Sequence, residues 1–274
     1  MSKPNRLEKR FELLRAEGKK ALITYATAGY PSLEAYAELL NGLPKAGADI
    51  IEVGVPFSDP MADGPIIQAA DVRALEIGTT LPKILEMVAA FREQDQDTPI
   101  LLMGYYNPIY SYGIMRFLDD AAKAGVDGFI IPDLPPEEDA EFRVPAKARD
   151  LSFIRFVTPT TDAARLAVIT KDAAGFLYCV SVAGITGGAS ADPSALAKFV
   201  EGIRPATDLP VAIGFGVSSP EQARATADAA DGVIVGSAII KRITASLDEK
   251  GEPGADMVKD VLGFVKSLAD AVHA

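Results

Sequence analysis

Short apolar runs recur along the chain, and most are separated by longer segments in which apolar residues return with the 3.6-residue period of a helix. The apolar runs are rich in β-branched residues and predict eight strands, at residues 21–26, 49–53, 99–103, 127–131, 152–157, 175–182, 210–215 and 232–236. The segments of helical period predict helices at residues 5–16, 33–45, 114–123, 137–148, 163–171, 194–203, 220–230 and 253–272. This alternation is typical of a parallel sheet whose strands are joined by helices.

Eight such strands favour a closed (β/α)8 barrel over an open, doubly wound sheet, with the helix at 5–16 as an addition before the first strand. No segment rich in Pro, Gly or Ser divides the chain, so a single domain is predicted over residues 1–274. The second and third strands stand farther apart than the others, which predicts an insertion holding a long loop at 54–64 and two helices. In barrels of this kind the chemistry lies at the C-terminal ends of the strands.

The composition of the chain limits the classes of protein to which it can belong. The net charge of −11 over 274 residues argues against a nucleic-acid surface, because phosphate backbones need clustered Lys and Arg. The single Cys179 excludes an internal disulfide and is expected to pack in the core. The charged N-terminus lacks a secretory signal and no run is long enough to span a membrane, so a cytoplasmic protein is predicted. His273, the only histidine, is interpreted as a frayed terminal residue, which leaves no histidine for a metal site.

Two carboxylates near the second strand are candidates for acid and base chemistry. Glu52 lies in an apolar, β-branched strand, where a carboxyl loses hydration and its pKa tends to rise. Asp63 follows in a loop held by Pro60 and Pro65, and it can fold back over the end of that strand. A structural alternative stays open, since a lone Glu in a strand is often the partner of a buried Arg or Lys, and Asp is common in turns.

Glycine-rich loops follow the last three predicted strands. Gly216 follows the seventh strand, and Gly236 with Ser237 follows the eighth. Glycine lets the backbone approach a phosphate, and the beginning of a helix directs free N–H groups at it. A glycine after a strand commonly serves only a tight turn, but three such loops on consecutive strands predict a phosphate site built from backbone amides.

Five segments, in this order and spacing, closely resemble the tryptophan synthase α subunit family: IEVGVPFSDPMADGPIIQ, LMGYYNP, FIIPDLPPEE, SVAGITG and GFGVSSP. The resemblance covers nearly the whole chain. It implies a lyase that splits indole-3-glycerol phosphate into indole and glyceraldehyde 3-phosphate by retro-aldol cleavage. It further implies that Glu52 and Asp63 are the catalytic acids, with Asp63 ionised against the indole N–H and Glu52 protonating C3 of the ring. Neither step requires a metal or an organic cofactor.

The resemblance assigns further positions by motif. Its implied substrate-binding residues are Tyr25, Tyr105, Tyr178, Thr186 and Phe215. Its implied phosphate-binding residues are Gly187, Gly216, Gly236 and Ser237. Within the first set, Thr186 is expected to position the catalytic Asp, and the alternative for Tyr178 is simple core packing. Tyr25 stands where the family often has Phe, so its hydroxyl is a departure from the pattern.

The resemblance also implies a partner. In the family the α subunit binds a pyridoxal-phosphate-dependent β subunit in an α2β2 complex and passes indole to it through a tunnel. Pro56, Asp59, Asn107 and Pro108 are the implied contact residues. From the residues alone, the turns that contain them are rigid and partly apolar, which is also true of many loops that only pack well. No pyridoxal phosphate site is predicted on this chain.

Three other functions stay open from the sequence. The chain could be a stand-alone lyase, a different phosphate-handling barrel enzyme such as an isomerase or epimerase, or a binding protein without catalysis. Enzymes of the second kind need a catalytic Lys or metal-binding His residues, and neither is expected at a strand end here. The loops at 54–64 and 183–192 are predicted to be mobile from their small residues.

Overall fold

The computed structural model describes residues 5–180, 193–214 and 216–274. Within them, eight parallel strands form a closed barrel in which each strand pairs with the next along the chain and β8 pairs with β1. The strands are β1 Ala21–Thr27, β2 Ile50–Gly54, β3 Ile100–Met103, β4 Gly128–Ile130, β5 Ser152–Val157, β6 Leu177–Val180, β7 Val211–Gly214 and β8 Gly232–Val235. The (β/α)8 fold predicted from the sequence is confirmed.

Twelve α-helices lie in this described part of the chain, and none of them is long and apolar enough to cross a membrane. The helices are α1 Arg6–Ala16, α2 Leu33–Gly42, α3 Pro65–Glu76, α4 Leu81–Arg92, α5 Tyr106–Tyr112, α6 Ile114–Ala124, α7 Ala140–Lys147, α8 Ala163–Thr170, α9 Pro193–Ile203, α10 Pro220–Ala229, α11 Ser237–Ala245 and α12 Met257–Val272. Helix α1 precedes the barrel, and α3 and α4 fill the insertion after β2, as the sequence predicts.

Two helices differ from the expectation. Helix α5 begins directly after β3, where a rigid turn is expected, and the N–H of Tyr106 in its first turn donates to the Asp133 carboxylate at 3.0 Å. Helix α11 begins at Ser237, where the sequence suggests only a glycine-rich loop. Aromatic residues, Asn and Pro have weak helix propensity, so α5 depends on contacts that the local sequence does not reveal.

The inside of the barrel is filled by alternate strand residues, as expected when side chains of a strand point in turn inward and outward. Eight of these inward residues form one buried cluster: Ala21, Ile23, Ile50, Leu101, Ile130, Ile154, Ala212 and Ile234. Helix α1 packs Leu7, Phe11 and Leu14 against this cluster, and the Phe11 ring lies 5.7 Å from that of Phe176 just before β6. The lower end of the barrel is thereby covered, which leaves the upper end, at the C-terminal ends of the strands, for a ligand.

An aspartate stands immediately before β2, β4 and β8 and joins that strand to the preceding one. In each pair a backbone N–H of the earlier strand donates to the carboxylate at 2.8 Å: Leu22 to Asp49, Ile100 to Asp127, and Val211 to Asp231. The N–H of each aspartate donates in return to the carbonyl of the same residue, also at 2.8 Å. Each aspartate therefore closes the lower end of one strand pair. The corresponding position before β6 is Phe176.

All three of these aspartates are also paired with cations, and Oδ2 of Asp231 lies 2.7 Å from Nη1 of Arg204. Asp127 is buried and lies 2.7 Å from Nη2 of Arg92 on α4 and 3.0 Å from Nη1 of Arg6 on α1. Asp49 lies 3.8 Å from Nη1 of Arg10. The pairs with Arg6 and Arg10 tie helix α1, which covers the lower end of the barrel, to its strands.

His273 is not frayed, so that interpretation is wrong. Its ring Nε2 lies 2.8 Å from Oδ2 of Asp49 at the lower end of β2, and its backbone N–H donates to the Ala269 carbonyl at the end of α12. A contact between residues so far apart in the sequence leaves no local signal. The last helix is therefore fastened to the start of the second strand.

Candidate active site

Glu52 lies in the middle of β2, one residue pair above the apolar cluster that fills the barrel. It is in register with Tyr25 of β1 and Leu101 of β3, and its side chain shares the inward orientation of Ile50 two residues before it. Glu52 is fully buried. The strand therefore delivers a carboxyl into the barrel interior just below its upper end.

The carboxyl of Glu52 has no partner among the described residues. Both of its oxygens are buried without a hydrogen bond, and no ion pair of the described ranges includes it. Burial raises the pKa of Glu52 to about 8, because the charged form is poorly solvated there. The structural alternative, a buried ion pair with Arg or Lys, is not what these residues form. At neutral pH this carboxyl carries a proton.

Asp63 lies at the end of the loop between β2 and α3. Its Oδ2 accepts a hydrogen bond from the Tyr105 hydroxyl at 2.8 Å, and the same hydroxyl accepts from the N–H of Ala62 at 2.9 Å. The ring of Phe57, from the start of the loop, packs on Tyr105 with centroids 5.4 Å apart. Burial raises the pKa of Asp63 from its ordinary value and the Tyr105 hydrogen bond opposes that rise. Tyr105 therefore holds Asp63 and favours its ionised form.

Buried Tyr25 and partly buried Tyr178 connect the carboxyls electrostatically. Burial is the main cause that raises the pKa of Tyr178, and the charges of Glu52 and Asp63 raise it further. The pKa of Tyr25 is raised by burial, then by Asp71 and Asp63, with a smaller contribution from Glu52. Charges act in this way only over short distances. Glu52 and Asp63 therefore lie close to the same two phenol groups, at one end of the barrel.

Glycines make room for these rings. A Cβ atom at Gly54 would lie 2.4 Å from the Tyr25 hydroxyl, and one at Gly214 would lie 2.4 Å from the Tyr178 hydroxyl. At Gly236 it would lie 3.1 Å from Cβ of Tyr25. Real Cβ contacts at the first two distances do not occur, so both positions require glycine. Tyr178, which also packs on the Phe156 ring at 4.9 Å, is thus placed by the barrel rather than loosely inserted in it.

The proposed phosphate residues are only partly described. Gly216 follows β7 with a φ of 74°, and a Cβ there would meet nothing within 4 Å. Gly236 caps α11, whose nine residues begin at Ser237. The first N–H groups of a helix have no partner within it, and they favour an anion. This geometry suits the predicted anion site on β7 and β8. The predicted Thr186, Gly187 and Phe215 lie outside the described residues.

The four predicted contact residues lie on the rim of the same end of the barrel. Asp59 is exposed and accepts a hydrogen bond from Ser58, whereas Pro56 is buried. Asn107 and Pro108 stand in the first turn of α5, with Asn107 exposed.

Two apolar side chains on this rim were not predicted. Met61 is 79% exposed and Tyr110 is 62% exposed, and they belong to the two segments that Tyr105 joins.

Asp71 was missed by the sequence-based analysis. It stands on α3, is almost fully buried, and its Oδ1 accepts a hydrogen bond from the Thr27 hydroxyl at 3.1 Å. The signal was present in the sequence, because position 71 lies four residues after Ile67 and three before Ala74 and hence on the apolar face of the helix.

No group of three or more His, Cys, Asp or Glu side chains within the described ranges is arranged to hold a metal ion. What the site does contain is an acid that keeps its proton at neutral pH and a second carboxyl that a phenol stabilises in the ionised form. A proton donor and a fixed negative charge at the same end of the barrel can protonate an electron-rich ring and stabilise the cation that results.

The chain is similar to known proteins of one family along nearly its whole length. The family model for the tryptophan synthase alpha chain matches residues 11–273. A crystal structure of tryptophan synthase subunit alpha from Legionella pneumophila strain Paris is 39% identical, with a TM-score of 0.90 over 98% of this chain and 99% of that one. A structure of Mycobacterium tuberculosis tryptophan synthase is 35% identical, with a TM-score of 0.88 over 99% of this chain and all of that one.

Proposed function

The chain belongs to the tryptophan synthase alpha chain family, lyases that act on indole-3-glycerol phosphate, and we propose that Glu52 and Asp63 divide the acid and base work of the cleavage in this protein. The family reaction breaks one carbon–carbon bond and yields indole and glyceraldehyde 3-phosphate. The observation that carries the assignment is the buried, unpaired carboxyl of Glu52, whose pKa of about 8 leaves it protonated at neutral pH.

Glu52 gives its proton to C3 of the indole ring, which turns the ring into an indolenine cation. The carboxylate left behind then takes the proton of the glycerol hydroxyl as the bond between C3 and the side chain breaks. The bonding electrons return to the ring, so indole leaves as a neutral molecule and Glu52 regains its proton. A carboxyl with a pKa near the working pH suits both transfers.

Asp63 stabilises the intermediate of this sequence. Its ionised carboxylate accepts the ring N–H, which carries the positive charge of the indolenine. The Tyr105 hydroxyl, 2.8 Å from Oδ2, keeps the carboxylate in place and leaves its other oxygen for the substrate. Because Glu52 supplies the proton and Asp63 stabilises the cation that results, losing either one removes a different part of the same step.

The remaining positions bind the substrate. Tyr25, Tyr178 and Phe215 are proposed to pack around the indole, and Thr186 to position Asp63. The phosphate is proposed to sit on the backbone amides of Gly216, Gly236 and Ser237 with Gly187, where the first turn of α11 offers N–H donors. Protonation and charge stabilisation are both supplied by carboxyls, so no metal or organic cofactor is assigned to this chain.

A β subunit is the proposed partner. The rim that carries Asp59, Asn107, Pro108 and Pro56 surrounds the chamber, and exposed apolar side chains on a rim of this kind favour a protein contact. We assign this rim to a pyridoxal-phosphate-dependent β subunit in an α2β2 complex that takes up the indole. Met61 extends the same surface. A cytoplasmic location stays a prediction from the sequence.

The test is indole release from indole-3-glycerol phosphate by the purified chain, with and without a tryptophan synthase β subunit. Glu52→Gln and Asp63→Asn are each expected to lower kcat by about 100- to 10,000-fold, the range of a single acid–base group. The matched controls Glu86→Gln and Asp208→Asn, at exposed positions, should leave it unchanged.

Retention of kcat within about tenfold by a folded Glu52→Gln protein would contradict the role of Glu52, since a general acid is normally worth more. Full activity without the partner would point to a stand-alone lyase. No cleavage under either condition, by a folded chain that binds inorganic phosphate, would overturn the reaction for this protein.

A further inference from the structure

Asp71 is a third carboxyl at this end of the barrel that the proposed chemistry does not use. Its side chain is 2% exposed, and it points from α3 toward the upper end of β1. The Thr27 hydroxyl donates to Oδ1 at 3.1 Å. The backbone N–H of Phe57 also forms a hydrogen bond that favours the ionised carboxylate. A buried carboxyl with two donors of this kind has a defined position.

These two donors link Asp71 to both halves of the site. Phe57 opens the loop that ends in Asp63, and its ring packs on Tyr105, the residue that holds Asp63. On the other side, the Thr27 hydroxyl lies 3.4 Å from the Tyr25 hydroxyl, in the strand next to Glu52. Asp71 therefore fastens the start of the catalytic loop to β1.

The charged groups around Asp71 are few. Asp63 is the ionised group that acts on it, and the phenols that feel its charge, Tyr25 and Tyr105, are neutral.

The cations on the packed elements are engaged or turned outward. Arg73 of its own helix pairs with Glu252, and on α11 Lys241 and Arg242 are exposed. After burial, the charge of Asp63 is therefore the one that raises the pKa of Asp71.

We propose that Asp71 is a positioning residue of the active site: it holds the loop of Asp63 against β1 through Thr27 and the Phe57 backbone, and its ionisation strengthens that hold. The inference rests on the proposed function of Asp63. Asp71 acts through other residues and touches no substrate.

The order in which Asp63 and Asp71 ionise predicts the direction in which kcat changes with pH. Burial, and next the charge of Asp63, raise the pKa of Asp71 to about 7, so Asp63 loses its proton first and Asp71 second. Below that pH the acceptor is a neutral carboxyl. Above it a carboxylate accepts the hydrogen bonds from Thr27 and Phe57, and hydrogen bonds to a charged acceptor are stronger. The value of kcat therefore rises through pH 7, and it falls above about pH 8, where Glu52 loses its proton.

Two measurements test this on the full chain. The first is a titration of the side-chain carboxyl carbons by NMR with 13C-labelled aspartate, in which the signal missing from Asp71→Asn identifies Asp71. A midpoint near pH 7 is expected. This measurement needs no activity, so it decides the ionisation even if the proposed reaction fails. A midpoint below pH 5 would overturn the inference.

The second measurement is the pH dependence of kcat and KM for indole release. Asp71→Asn keeps an acceptor oxygen and is expected to fold, to keep KM within about twofold, and to lose the rise through pH 7, which lowers kcat above that pH by roughly five- to tenfold. Thr27→Val should lower kcat in the same pH range, and Thr27→Ser, which retains the hydroxyl, should restore it. A merely structural role would lower stability and leave the shape of the profile unchanged. A profile of Asp71→Asn that superimposes on that of the parent would overturn the inference.

Discussion

The Glu52→Gln protein should become more stable relative to the parent as the pH rises, although the substitution destroys the proposed acid. The folded protein binds the Glu52 proton up to a pKa of about 8, whereas the pKa of an exposed Glu is 4.5. Between these two values the folded state holds a proton that the unfolded state has released, so stability falls as the pH rises. Gln has nearly the same shape and no proton to lose.

The size of the effect follows from the two pKa values. One unit of pKa difference corresponds to about 1.4 kcal/mol. Between pH 5 and pH 8 the parent therefore loses roughly 3 to 4 kcal/mol of its free energy of unfolding through Glu52 alone. Other buried carboxyls, such as Asp71 and Asp127, contribute equally to parent and variant and cancel in the difference. The stability gap between Glu52→Gln and the parent should widen by that amount over this pH range.

The measurement is urea unfolding at pH 5, 6, 7 and 8, followed by far-UV circular dichroism because the chain has no tryptophan. The matched control is Glu86→Gln on the exposed face of α4, which should run parallel to the parent at every pH. Parallel curves for Glu52→Gln as well would show that Glu52 has an ordinary pKa and is ionised in the folded protein. That result would remove the physical basis of its role as the acid.

Two further substitutions test how the site and the barrel are held. Gly214→Ala places a Cβ atom against the Tyr178 hydroxyl and should lower kcat/KM about tenfold. The control Gly263→Ala, in an open position of α12, should leave kcat/KM unchanged and raise stability by about 0.5 to 1 kcal/mol. Equal kinetics for both variants would show that Tyr178 does not shape the chamber. Asp127→Asn removes the partner of the buried Arg92 and should cost about 3 kcal/mol in urea unfolding, and a loss below about 1 kcal/mol would show that water already solvates that pair.

The fold was predictable because it repeats. Eight apolar runs separated by helical periods leave few alternatives to a closed barrel, and the wide gap after β2 correctly places α3 and α4. Helices α5 and α11 were missed, because each begins directly after a strand and lacks the polar spacer that marks a helix start. Strand six was predicted as 175–182, and the structure describes it as Leu177–Val180.

The site was predictable where its chemistry is local. Glu52 stands out as a charge inside an apolar strand, and its lack of a buried cation partner could be learned only from the structure. Tyr105 stays a predicted substrate-binding residue, and the structure adds that its hydroxyl holds Asp63. His273 was misinterpreted because its partner, Asp49, is remote in the sequence. Asp71 was missed although its place on the apolar face of α3 marks it as buried, and its partner Thr27 is known only from the fold. Side-chain pairing between distant segments is a product of the fold and has no local pattern.

The three aspartates that link neighbouring strands imply that the strand pair is a structural unit of this barrel. In each of the pairs β1–β2, β3–β4 and β7–β8, the lower ends of the strands are linked by a hydrogen bond from the backbone of one strand to the carboxylate that precedes the other. A gene segment encoding such a pair would, if duplicated, deliver two new strands already joined at their lower ends. In β5–β6 the position of the aspartate is taken by Phe176, whose ring packs on Phe11 of the N-terminal helix. That pair therefore lacks the carboxylate link of the other three and instead presents an aromatic ring on which the N-terminal helix packs.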